Sequence, residues 1–276
     1  MGPERSRGIE WPQPQRNLAQ RAGKGECKNM NKVTPQDLFT VGAHLGHKSF
    51  KVHPRSRQYI YQIDSGTSII DLFQTATELE KAKKVAYDLG KDDKVLLIVA
   101  TKKQTKEMIA AVCVENDIPF LTNKWVGGFI TNFSAISQNI KKLSTLQEER
   151  DGGEWSQFVK HERVELEKKL NRIANIYSGV AKLTKTPSAL FIVDIKKEAN
   201  AASEARKEHI QTIAIVDTNT NPDLVDFPIP ANDDAISSVM FITKEIISAY
   251  VEGRSNIGKT VGEGLKPSPT KKEKKS

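Results

Sequence analysis

Residues 253–260, GRSNIGKT, set Gly253, Gly258, Lys259 and Thr260 at the spacing of a phosphate-binding loop. In such a loop glycines let backbone N–H groups wrap the phosphates, the lysine reaches the terminal ones, and the hydroxyl holds magnesium. That chemistry requires a strand running into the loop and a helix leaving it. Here the preceding AISSVMFITKEIISAYVE has helical spacing, and the following VGEGLKPSPTKKEKKS is rich in glycine, proline and lysine. Gly253 is therefore expected to end a helix as its C-cap, and no working phosphate loop is expected.

Two other groups of residues invite chemistry. His44, His47 and His53 cluster in GAHLGHKSFKVHP, and the first two stand three apart, which can suit a metal. No cysteine lies near them and no fourth ligand is evident, so structural or RNA-facing histidines are expected. His161 and His209 are isolated. Five aspartates follow TIAIV in DTNTNPDLVDFPIPANDD, where open parallel sheets bind ligands and a magnesium-dependent enzyme would place its carboxylates. The plainer reading makes Asp217, Asn219 and Asn221 turn formers and Asn232 or Asp233 the cap of the last helix. No glycine-rich turn follows LLIVA and no Ser/His or Cys/His pairing is in view, so no catalytic residue, metal or cofactor is expected.

Charge points elsewhere. Residues 1–32 hold seven Lys/Arg against three acids and residues 254–276 hold seven against two, so the whole of the chain's net +8 sits in its two tails and the rest is −1. The body is near neutral but segregated. KSFKVHPRSR (48–57) offers Lys48, Lys51, Arg55 and Arg57 with no acid, whereas 217–234 is acidic with no base. The loop after LLIVA presents Lys102, Lys103 and Lys106. TNKWVGGFITNF adds Asn123, Lys124 and Asn132, with Trp125 as an aromatic for stacking. Two such loops at one sheet edge beside the 48–57 patch fit a folded RNA surface, by phosphate contact and stacking. A solvated lysine face remains the alternative on residues alone. No run of eighteen apolar residues occurs, which excludes a membrane-spanning helix. Two cysteines in unlike surroundings, Cys27 and Cys113, fit a reduced, cytosolic setting.

The elements that must position these residues alternate. QYIYQI and SIIDL flank a DSGT turn as two short strands. KVLLIVA, IPFLT, ALFIVD and TIAIVD are short apolar strands separated by helical stretches near 76–89, 104–116, 199–208 and 235–252. That rhythm predicts a parallel sheet covered by helices on both faces, of the flavodoxin or Rossmann kind. Thr34 and Pro35 have the types of a helix cap and first helical residue. Residues 134–184 interrupt the alternation. Ile136, Ile140 and Leu143 share one face, and Val159, Leu166, Leu170, Ile173, Tyr177 and Val180 form a second row at heptad spacing from Leu166 onward. An inserted antiparallel coiled-coil hairpin turning at DGGEW is expected, with two ordinary covering helices as the alternative. The body is thus read as 33–253, flanked by disordered segments 1–32 and 254–276.

At these residues the sequence resembles the bacterial-type ribosomal protein S2 family. The resemblance is carried by GAHLGHKSFKVHPRSRQYIY, SIIDLFQT, LLIVATKKQ, NKWVGGFITNF, LEKKL, ALFIVD, EARKEHI and AIVDTNTNPDLVDFPIPANDDAI, in family order over residues 33–253. It implies a structural, non-enzymatic protein seated on small-subunit rRNA between head and body, beside neighbouring ribosomal proteins. It also implies support for docking the mRNA-binding protein S1, with no membrane association and no homo-oligomer. PANDDA, NTNP and the stretch NIYSGVAKLTKTPS depart from the family pattern and put only local loop shape in doubt. Family members begin near MNKVTPQDLF. KGE at 24–26 can be encoded with a ribosome-binding element, so residues 1–29 are expected to be translated leader before a start at Met30. An organellar transit peptide is the rival.

Overall fold

The computed structural model describes residues 32–262. Its first helix, α1 (Pro35–Thr40), opens as its sequence dictates: Pro35 lies in the first turn, Thr34 Oγ1 accepts the Asp37 N–H, and Asp37 Oδ2 accepts the Thr34 N–H at 3.0 Å. The two bonds satisfy donors that a helix start leaves without partners. Three short strands follow, β1 (Leu45–Lys48), β2 (Ile60–Asp64) and β3 (Thr67–Ile70), as an antiparallel sheet in the order β1-β3-β2. The β2–β3 turn needs positive φ at Ser65 (48°) and Gly66 (77°), which matches the right-handed twist of a tight hairpin.

After α2 (Leu72–Lys91) the chain builds the main sheet from β4 (Leu96–Val99), β5 (Phe120–Leu121), β6 (Ala189–Ile192), β7 (Gln211–Val216) and β8 (Phe227–Pro230). All pairings are parallel, in the order β5-β4-β6-β7-β8. Counted within this sheet the order is 2-1-3-4-5, the flavodoxin-like arrangement. Strands β4 and β6 are buried at every residue, as their unbroken apolar runs require. β8 has no signature in the sequence, because the prolines of FPIP leave it without two backbone donors. It is tolerated at the edge, where β7 is its one strand neighbour.

Alternate residues of the strands face two layers. Leu97, Val99, Leu190, Ile192, Ala214 and Val216 share one buried cluster with Ala201, Ala202 and Ala205 of α6 (Ala199–Lys207) and with the hairpin helices α4 (Phe133–Asp151) and α5 (Lys160–Tyr177). α2 packs on β4, β8 and the last helix, α7 (Ile236–Gly262), and α3 (Lys106–Glu115) also meets α7.

α4 and α5 pack on each other across Ile136, Ile140, Leu143, Leu146, Leu170 and Tyr177, with Trp155 buried at the turn. The turn itself uses Gly153 at φ 76°. This seam is continuous with the sheet cluster through Phe129, Ile130 and Val180. Val159 is not part of it: that residue caps α5 and stands 55% exposed, so the heptad row starts at Leu166.

Gly253 corrects the expected C-cap. α7 continues to Gly262, and Gly253 lies buried in its interior. The reason is a helix crossing. A Cβ on Gly253 would collide with the backbone carbonyl of Tyr87 in α2, and a Cβ on Gly90 of α2 would collide with that of Tyr250 in α7. GRSNIGKT is therefore helical throughout, with its backbone N–H groups committed to the helix and not free to wrap phosphate. The expectations for residues 1–29, for Met30 and for residues 263–276 lie outside the described residues.

Candidate nucleic-acid interface

In a 2-1-3-4-5 sheet the ligand crevice opens beyond the carboxyl ends of the strands, where the order reverses. Here that place lies between β4 and β6, and the protein's own side chains fill it. Thr101 Oγ1 donates to the Glu198 carboxylate, and Lys197 Nζ donates to Thr101 O at 2.6 Å. Lys102 Nζ donates to Asp233 Oδ1, Asp233 O and Asp234 Oδ1, all at 2.8 Å, and stands 3.4 Å from Asp194 Oδ2.

Burial pulls the Lys102 pKa down, but its bonds to Asp233 and Asp234 outweigh that and hold it above the ordinary lysine value. Burial, with Asp217 and Asp194 nearby, pushes Asp233 up against the pull of Lys102. Asp234 is lowered, chiefly by its bond to Lys102. A crevice closed by a saturated lysine and four acids is a structural plug. Lys102, expected to face RNA, is 13% exposed and belongs to that plug; its partners lie 131 and 132 residues away in sequence.

The histidines do not converge. His44 stacks on Phe39 at 4.4 Å, and burial lowers its pKa. His53 Nδ1 accepts the Arg55 N–H at 3.2 Å. His47 instead meets the aspartates: Nδ1 lies 3.0 Å from Asp217 Oδ2, and Nε2 lies 3.6 Å from Asp234 Oδ2 and 2.9 Å from Asn219 Nδ2. Among the described residues, His47, Asp217 and Asp234 are the group whose ligand atoms stand close enough together to hold a cation. Asn221 acts as the turn former the sequence suggested, whereas Asn232 makes a turn ahead of α7 and does not cap its first turn. Asn221 Oδ1 accepts the Asp223 N–H at 3.1 Å, and Asn232 Oδ1 accepts the Asp234 and Ala235 N–H groups ahead of α7.

The hydrogen bond to Asp217 raises His47 above its ordinary 6.5, with burial opposing and Asp217, Asp233 and Asp234 adding charge attraction. A group with a raised folded pKa stabilises the fold fully below its unfolded value, and that stabilisation is lost as pH rises through the folded value. Thermal unfolding is therefore expected to shift to lower temperature as pH rises from about 6 to about 8. His47→Gln should flatten that part of the profile. A variant profile parallel to the wild type would rule out His47 as its source.

The cationic arm 48–57 is built onto this acidic loop. His47 N donates to Thr218 Oγ1 at 2.9 Å, His53 N donates to Thr218 O at 2.8 Å, and Ser56 Oγ donates to Thr220 O. Gly46 is required where the arm crosses: a Cβ there would lie 2.6 Å from Thr218 Cγ2. So fastened, Lys48, Lys51, Arg55 and Arg57 all stand exposed. Arg55 also makes a loose 3.5 Å pair with Asp223, exposed on both sides, where screening leaves little net energy.

The second loop divides. Lys103, Asn123, Lys124 and Asn132 are exposed, and Lys106 is half-buried with Nζ 3.4 Å from Asn123 Oδ1. Asn123 Nδ2 also donates to Asn175 Oδ1 of α5 at 2.8 Å. Trp125 corrects the expectation of an exposed stacking ring, for it is 6% exposed and packs on Phe129. Its Nε1 donates to Glu204 Oε1 at 3.1 Å, and the same carboxylate accepts the Gly128 and Ile130 N–H groups at 2.8 and 3.1 Å. Glu204, 79 residues downstream, thus shapes the WVGGFI loop. The only signal for it in the sequence was an acid on the apolar side of α6.

Lys102 and Asp234 on one side, and His47 on the other, join the two loops into one edge of the molecule. The family model described as ribosomal protein S2 matches residues 38–253. The chain is 39% identical over 223 residues to small ribosomal subunit protein uS2 of Amoebophilus asiaticus, covering 81% of this chain and 71% of that one. It is 38% identical over 215 residues to the uS2 protein of Cytophaga hutchinsonii, covering 78% and 85%. It is 39% identical over 222 residues to that of Coprothermobacter proteolyticus, covering 80% and 83%. The matches span the sheet, the hairpin and the cationic arm together, and the chain belongs to the ribosomal protein S2 family.

Proposed function

We propose that the chain binds small-subunit rRNA through the arm carrying Lys48, Lys51, Arg55 and Arg57, with Lys103, Lys106, Asn123, Lys124 and Asn132 on the adjoining loops. As a member of a ribosomal protein family it is a structural constituent of the ribosome and not an enzyme. The plugged crevice agrees with that, since the position where such sheets hold substrates is filled by Lys102 and its acids. The observation that supports RNA binding most is the arm itself: four exposed cations without an acid among residues 48–57, fixed to the body by hydrogen bonds that Thr218 Oγ1, Thr218 O and Thr220 O accept from His47 N, His53 N and Ser56 Oγ. A polyanion with a defined shape is the partner such a rigid cationic edge fits. In this reading the protein sits between head and body of the cytoplasmic small subunit, beside other ribosomal proteins, and supports docking of protein S1; family membership is the support for those placements.

The test is the salt dependence of binding to small-subunit rRNA. Lys48→Ala with Lys51→Ala should weaken binding at low salt and flatten the slope of log affinity against log salt by about one to two units. An unchanged slope would remove the arm from the interface.

A further inference from the structure

The sequence assigns the stacking surface to Trp125, which the fold buries. Exposed apolar surface sits instead on the cationic arm and the small sheet beside it. A groove of about 580 Å³ there is lined by Ser49, Val52, Arg57, Ile60, Gln62 and Ile63. A register shift between Ile60 and Gln62 in the β2–β3 ladder interrupts the alternation of β2. Beside this irregularity Ile60, Gln62 and Ile63 all contribute to the lining of the groove. Ile63 is 58% exposed, and Phe50, next along the chain from Ser49, is 77% exposed with Lys51 Nζ 5.9 Å from its ring. A soluble body has no reason of its own to leave these side chains in water on its most cationic edge.

The groove combines three features. Its walls include the apolar side chains of Val52, Ile60 and Ile63. It has an amide able to donate and accept at once, Gln62. It has a planar cation suited to a phosphate oxygen pair, Arg57. In duplex RNA the bases are stacked inside and their faces are closed to a protein, whereas an unpaired nucleotide offers a face, an edge and a phosphate together.

We propose that this groove holds one unpaired nucleotide of the bound RNA. Its base lies against Val52, Ile60 and Ile63, its edge meets Gln62, and its phosphate meets Arg57, while Phe50 offers a second stacking surface outside. The proposal rests on the RNA-binding reading of the arm and adds to it a contact with a base, where the cations alone would touch phosphates.

The two can be separated with the full chain and small-subunit rRNA across a salt series. Ile63→Ala with Gln62→Ala removes base contacts and no charge. It should weaken binding about tenfold at every salt concentration and leave the salt slope unchanged. Undiminished affinity in that variant, with a melting temperature equal to the wild type, would overturn the nucleotide site and leave the arm's role intact. A salt slope left unchanged by Lys48→Ala with Lys51→Ala would overturn the arm's role. Ultraviolet cross-linking of the unaltered protein in assembled subunits gives the second reading. Cross-links between residues 49–63 and an unpaired rRNA nucleotide support the site. Cross-links of that stretch to a ribosomal protein, or to paired rRNA alone, overturn it.

Discussion

Alanine at Gly253 is expected to destabilise the protein by about 2–3 kcal/mol, although alanine favours helix over glycine by about 1 kcal/mol. The cause is the crossing of α2 and α7. Gly90 and Gly253 each lie against the other helix's backbone, and an added Cβ at either would strike a carbonyl oxygen, Tyr250 O or Tyr87 O. A flexible side chain could swing away from such a contact, whereas a backbone carbonyl inside a helix moves only if the helix does. The axes must therefore separate, and the separation is felt by Ala86, Leu89, Ile246 and Tyr250, all buried along these helices. Thermal unfolding should fall by roughly 5–10 °C for either Gly90→Ala or Gly253→Ala. The double variant should cost less than the sum of the two, because one displacement relieves both collisions. Wild-type stability in Gly253→Ala would mean that the helices are not in backbone contact at this crossing.

Lys102 and Lys103 are adjacent, and their substitutions are expected to fail in opposite ways. Lys102→Glu places a fifth carboxylate among Asp194, Asp233, Asp234 and Glu198 and removes their cation. Breaking a buried pair by taking one partner away costs about 3–5 kcal/mol, so this variant should unfold at markedly lower temperature or fail to accumulate. Lys102→Met, similar in length and uncharged, should be destabilised less than Lys102→Glu, since it adds no repulsion. Lys103→Glu should keep the wild-type melting temperature, because Lys103 is exposed, and should weaken rRNA binding in a salt-sensitive way. Denaturant unfolding beside rRNA titration checks both residues. Equal stability of Lys102→Glu and Lys103→Glu would contradict the plug.

What was legible in the sequence depended on how far each residue's partners lie along the chain. Thr34, Pro35 and Asp37 settle the start of α1 within four residues, and the apolar runs of β4, β6 and β7 state their own burial. The family motifs, spread in order over the body, gave the fold and the ribosomal assignment together. The exposure of Lys48, Lys51, Arg55, Arg57, Lys103 and Lys124 was also legible, since a run of cations without acids has nothing local to pair with.

The failures are long-range pairings. Trp125 has the appearance of a stacking aromatic until Glu204 takes its N–H, and Lys102 cannot be told from Lys103 until the fold brings Asp233 and Asp234 to it. Gly253 followed by a glycine- and proline-rich stretch fits a helix end. Its true role depends on Tyr87 across the crossing, and no local pattern carries that. His47 neighbours His44 and His53 in sequence, while its partners Asp217 and Asn219 follow β7, 172 residues away in the case of Asn219. β8 was hidden by the prolines that fit it to a sheet edge.

We propose above that this chain is an RNA-bound constituent of the small ribosomal subunit, held by the cationic edge of its body. Sedimentation of the purified protein with small subunits that lack their own copy tests it most directly. The full chain is predicted to travel with the subunit at about one copy each, and a folded chain with Lys48, Lys51, Arg55 and Arg57 replaced by glutamate is predicted to stay at the top of the gradient. Wild-type protein that remains at the top, or a charge-reversed chain that sediments as the wild type does, would contradict the account.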